Sequence, residues 1–197
     1  MPILAEQLER EKYYTYEDWL NFDDGVHAEI VDGRIYMMAE PSQRHQEILM
    51  ELGTQFHTFL RGKPCRVFPA PFGVKLFKNR HTILEPDLSV VCDRSKLNGK
   101  ICDGAPDLVV EILSPSTSGY DKIIKLNQYL QAGVKEYWII GPEDSTVTVC
   151  TLENGKYVVG GYIYPNETGE TVVPVKVLPG LEIDLRQVFE PEQGETI

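Results

Sequence analysis

Apolar positions recur along this chain with two different spacings, and the alternation between them predicts its elements. Ile48, Leu49, Leu52, Phe56, Phe59 and Leu60 fall at helical intervals, which predicts an amphipathic helix over 42–61, opened by Pro41-Ser42 and closed by Gly62. A second helical pattern covers 120–132 and ends at Gly133. Shorter helices are predicted at 4–12, at 15–21 with Thr15 as N-cap, and at 185–189. Between them lie strand-like runs. HAEIVDGRIYMMA reads as a hairpin turning at Val31-Asp32-Gly33-Arg34, because Asp-Gly is a strong hairpin signal. Further runs are 65–69 and 72–78, broken by Pro69 and Pro71, then 88–91, 107–113 and 136–140. Runs 145–151 and 156–164 look antiparallel, and 93–104 and 114–119 read as loops. The succession predicts an α/β fold with a central mixed sheet, flanking helices and extra antiparallel strands toward the C-terminus.

With 197 residues and no linker or repeat, the chain is expected to form one domain over 1–197. No apolar run approaches the roughly 20 residues of a membrane span. The charged opening MPILAEQLEREKYY lacks a signal-peptide pattern, so the cytoplasm is the expected compartment and no membrane partner is expected. Cys65, Cys92, Cys102 and Cys150 are scattered without a CxxC pair, and are expected to be reduced core thiols rather than zinc ligands. A net charge of -11 argues against tight, sequence-independent DNA binding, which draws on a basic stripe.

Two acids interrupt this ordinary picture. Asp87 precedes the apolar run Leu88-Ser89-Val90-Val91, and Glu111 stands inside Leu108-Val109-Val110-Glu111-Ile112-Leu113. On a strand Glu111 would share a face with Val109 and Leu113, where a bare carboxylate is costly unless it is paired. Two such carboxylates converging from neighbouring strands suit a hard divalent cation, which takes oxygen ligands and keeps several waters. The plainer alternative is that each acid caps a strand end near solvent. Alternation places Glu29 with His27 and Val31, on what reads as the polar side of the hairpin.

Pro86-Asp87, Glu111-Ile112-Leu113-Ser114-Pro115-Ser116-Thr117, Asp121-xxx-Lys125 and Gly133-Val134-x-Glu136-Tyr137-Trp138 occur in an order that resembles the Uma family. That family consists of restriction-endonuclease-like proteins within the PD-(D/E)XK superfamily. Glu29-Ile30-Val31-Asp32-Gly33, Met38-x-x-Pro41 and His45 match the same pattern upstream. The resemblance covers about 15–142 and is expected to extend through the C-terminal meander. It implies a restriction-endonuclease-like fold with Asp87 and Glu111 as metal ligands and Glu29 as the third acidic member. It places His45 along the site and implies a Mg²⁺-dependent endonuclease acting on DNA, with Mn²⁺ as a substitute ion. A homodimer is compatible with it. Two other readings stay open: a non-catalytic binding or oligomerisation module on the same fold, and a metal-dependent hydrolase of a small phosphorylated molecule.

The superfamily pattern carries a lysine two residues after the second acid, where this chain has Leu113. The resemblance moves that lysine to Lys125, on the following helix. The helical wheel points elsewhere: Ile123, Leu126, Asn127 and Leu130 form the expected core stripe, Lys125 falls nearly opposite, and Lys122 lies on the flank. Lys125 is the expected catalytic lysine and Lys122 its substitute. The Ser114–Thr117 loop is a candidate phosphate contact, or a simple turn.

Overall fold

The computed structural model describes residues 3, 6, 8, 9, 11–23, 25–114, 119–164 and 171–190, without the side chains of 119–122. Its centre is made by strands β6 (Leu88–Val91) and β8 (Leu108–Ile112), in which every residue is buried. Strands covered on both faces need such unbroken apolar runs. They belong to a six-stranded sheet with β3 (Arg66–Pro69), β9 (Glu136–Gly141), β10 (Thr146–Glu153) and β11 (Lys156–Ile163), in the order β11-β10-β9-β8-β6-β3. Only β8 and β9 pair in parallel, so the sheet is mixed. Helix α3 (Gly119–Ala132) makes the crossover between these two strands, as parallel neighbours require.

Helix α2 (Gln43–Leu60) packs Ile48, Leu52 and Phe56 against Leu88, Val90, Leu108 and Val110. Tyr129 of α3 joins Val109 and Tyr137 in a separate core. Successive side chains of β8 therefore enter different cores, and Glu111 points with Val109 toward α3.

A second sheet runs β2 (Arg34–Met37), β1 (Ala28–Val31), β5 (Ile83–Leu84), β4 (Val74–Lys75) and β7 (Cys102–Asp103). The β1–β2 hairpin turns on Asp32 and Gly33, with φ of 50° and 80°. Positive φ at both central residues is what a two-residue hairpin of the right twist demands.

The small helix α1 (Tyr16–Trp19) is capped by Thr15, as expected, with Asp18 closing a capping box. Helix α4 (Leu185–Phe189) and the long helix also lie where expected. Of the helix expected over 4–12, residues 6, 8, 9, 11 and 12 are described and none of them is α-helical, so that expectation does not hold there. The run 72–78 shrinks to the two residues of β4, and the 93–104 loop contains β7. A two-stranded ribbon, β12 (Val172–Pro174) and β13 (Glu182–Asp184), was not anticipated.

One expectation is corrected. Cys65 and Cys92 are joined in a disulfide, so only Cys102 and Cys150 are free thiols. Strand β3 pairs antiparallel with β6 so that Arg66 faces Val91, and one step further Cys65 faces Cys92. That register links positions 27 apart and cannot be read from cysteine spacing. Among the described residues no helix is long and apolar enough to cross a membrane.

Candidate active site

Two polar clusters meet where β8 approaches the β1–β2 hairpin. The first is centred on Glu111, which is buried with its carboxylate turned toward α3. Tyr129 donates its hydroxyl to Glu111 Oε1 at 2.6 Å, and Lys125 Nζ lies 3.2 and 3.1 Å from Oε1 and Oε2. Lys125 and Tyr129 stand four apart and so share one helix face. The same Lys125 Nζ reaches Glu29 Oε1 at 2.9 Å. Glu29 also accepts the backbone N–H of Glu85 at 2.9 Å.

The second cluster holds the ends of β6 and β8 together. Asp87 Oδ2 accepts the Ile112 N–H at 2.6 Å, just beyond the Leu88–Val110 pair. Asp87 Oδ1 lies 3.1 Å from His45 Nε2. Ser42 caps α2 by accepting the His45 N–H, which fixes His45 in the first turn. The other ring nitrogen, Nδ1, is buried with no hydrogen-bond partner.

Both clusters line a cavity of about 1100 Å³ whose walls include Glu29, His45, Glu85, Asp87, Glu111 and Lys125. Each of the five residues expected at the site therefore lies on one cavity. Glu29 is 5% exposed, so it is not the exposed hairpin residue that alternation suggested; the polar side of β1 faces the cavity. The helical wheel had the wrong phase. Ile123 and Asn127 are exposed, whereas Gln128 and Tyr129 are buried and Lys125 is turned to the acids. A periodicity count scores lysine as polar and cannot anticipate that buried carboxylates will draw it inward. The Lys122 side chain, the Asp121 side chain and residues 115–117 lie outside the described set.

The electrostatics follow from burial and crowding. Burial, with Asp87 and Glu29 nearby, pushes Glu111 up to about 7, against the pull of Lys125 and the Tyr129 hydrogen bond. Burial also opposes the charge on Lys125, but Glu111 and Glu29 outweigh it and hold the ammonium well above its ordinary range. Burial and Glu29 raise Glu85. For His45, burial is offset by Asp87, and the balance favours the imidazolium. Glu85 and Tyr129 were not expected at the site. Tyr129 had a legible signal in its four-residue spacing from Lys125; Glu85 offered only its adjacency to Pro86-Asp87.

Carboxylates crowded enough to raise Glu111 and Glu85 mark a place short of positive charge. Asp87 and Glu111 supply hard oxygen donors of the kind Mg²⁺ takes, and Glu29 lies across Lys125 from Glu111. Among the described residues no three acidic or histidine side chains form a ready-made metal cage. An ion here would draw the rest of its shell from water or substrate, as Mg²⁺ commonly does. The residues fit the ion on those terms.

A protein of Synechocystis sp., itself uncharacterized, is 36% identical over 115 residues; the match spans 57% of this chain and 60% of that relative. The crystal structure described as a putative nuclease belonging to DUF820, from Anabaena variabilis, superposes with a TM-score of 0.74 at 22% identity, covering 89% of this chain and 97% of that one. At that identity the likeness establishes the nuclease-like fold. The profile of the Uma2 family, described as "Putative restriction endonuclease", matches residues 10–186. The chain belongs to the Uma2 family.

Proposed function

We propose that this protein is a Mg²⁺-dependent endonuclease that hydrolyses phosphodiester bonds in DNA. The observation that carries the reading is the buried Glu111 carboxylate, bridged to Glu29 by the Lys125 ammonium at 2.9–3.2 Å and open to a large cavity beside Asp87. Asp87 and Glu111 would hold the ion, with Glu29 completing the acidic set directly or through water. Bound there, Mg²⁺ would polarise a phosphoryl oxygen and acidify a water.

The chain's own groups do the positioning. Lys125 takes the part of the lysine absent at Leu113: its ammonium orients the attacking water and offsets charge that develops on the phosphate. Tyr129 holds Glu111 in place from behind. His45 fixes Asp87 through Nε2.

The test is cleavage of labelled DNA oligonucleotides, single-stranded and duplex, in Mg²⁺ or Mn²⁺ by wild type, Glu111→Gln and Lys125→Met. The reading expects cleavage by wild type alone. Equal activity in all three proteins would assign the cleavage to a contaminant and remove the proposal.

A further inference from the structure

The register of the β1–β2 hairpin sets a row of side chains beside the acidic site. Glu29 pairs with Tyr36 and Val31 with Arg34, and antiparallel partners share a face. Glu29, Val31, Tyr36 and Arg34 therefore all look to the same side, and two residues of strand put Arg34 about 6.6 Å beyond Tyr36. Arg34, Tyr36 and Ile124 line the main cavity. The same three, with Val31, also line an adjoining cavity of about 270 Å³ that reaches Asn127 and Gln128. The two cavities thus form one cleft between the hairpin and α3, with the carboxylates at one end.

That cleft is braced. Gln128 donates to Asp32 at 3.1 Å, and Arg80 binds Asp32 at 2.7 Å and Gln128 at 3.0 Å. The hairpin tip is thereby tied to the helix.

The charge in the cleft selects its occupant. Lys125 is committed to Glu29 and Glu111, whereas Arg34 has no ion-pair partner among the described residues. One guanidinium does not make the basic stripe that duplex DNA needs, and the net charge of -11 makes the shortfall general. Binding here must draw on base stacking, for which the half-buried ring of Tyr36 on the cleft wall offers a surface. Stacking of that kind needs an unpaired base.

We infer that the substrate occupies this cleft as a single DNA strand, with Arg34 on a phosphate flanking the scissile one and Tyr36 stacked on an unpaired base. The inference rests on the nuclease reading for the identity of the substrate. Its test measures binding without cleavage. Fluorescence anisotropy of labelled oligothymidylate of about twelve nucleotides, within the site size of single-strand clefts, is compared with the matching duplex in Ca²⁺. The expected result is single-strand binding at least about tenfold tighter than duplex binding, since the duplex cannot offer an unpaired base. Arg34→Ala should flatten the slope of log affinity against log salt by about 0.7, the value for one phosphate of a single strand. Tyr36→Leu should weaken single-strand binding roughly tenfold, and Tyr36→Phe should retain it; matched thermal unfolding separates contact from folding.

Equal or tighter duplex binding, no binding of either DNA, or an unchanged salt slope in Arg34→Ala overturns the inference. Tight, Arg34-dependent single-strand binding without Mg²⁺-dependent cleavage would support the cleft and remove the catalytic reading instead. Cleavage of duplex alone, indifferent to Arg34, would overturn the cleft and leave the nuclease reading standing.

Discussion

Replacing Lys125 by methionine would leave Glu111 and Glu29 buried without their shared counter-charge. The side chain is 18% exposed and its ammonium contacts both acids. Removing one partner of a buried ion pair costs about 3–5 kcal/mol. Glu111 escapes part of that cost by taking up a proton, so a loss of about 3 kcal/mol at pH 8 is expected. For a chain of this size that corresponds to a fall of about 6–12 °C in melting temperature. The pH dependence has a definite sign. Glu111 titrates at about 7 in the folded protein against an ordinary 4.5, so the native state holds the extra proton between those values and stability falls as pH rises through that window. Removing Lys125, which lowers the Glu111 value, extends the window upward. The deficit relative to wild type should therefore be smaller at pH 5 and larger at pH 8. The assay is thermal unfolding of both proteins in EDTA across that range. A variant as stable as wild type at pH 8, or a deficit that grows toward pH 5, would refute the bridging role.

Three further outcomes follow from particular contacts. Tyr129→Phe removes a 2.6 Å hydrogen bond to a buried carboxylate and should cost about 2 kcal/mol in urea unfolding. Cys92→Ser opens a disulfide spanning 27 positions and should cost about 3 kcal/mol, a loss that dithiothreitol should reproduce in wild type. Thr15→Ala breaks the capping box of α1 and should cost about 1 kcal/mol, read as a shift in the urea midpoint.

Much of this site was legible from residue order because charge inside an apolar run is conspicuous. Glu111 announced itself within Leu108–Ile112, and Asp87 by heading the neighbouring run. The fold class followed from the same runs, since strands buried on both faces leave unbroken apolar stretches. Features that depend on long-range pairing were not legible. The Cys65–Cys92 bridge needs the β3–β6 register, and the β12–β13 ribbon is too short to carry a period of its own. Lys125 shows the sharper failure. Helical periodicity assumes that lysine seeks water, and here two buried acids reverse that preference; only the family resemblance pointed to it. Alternation alone would have misplaced Glu29 for a related reason, because it identifies a polar face without saying whether that face meets solvent or a cavity; the resemblance named it as a site residue.

The central claim is that Glu111 and Asp87 form a cation site, and calorimetric titration with Mn²⁺ tests it most directly. Wild type and Glu111→Gln, both shown to be folded, are titrated under identical conditions. The account predicts saturable binding to wild type that is lost in Glu111→Gln. Negligible binding by both proteins, or equal binding by both, would contradict it.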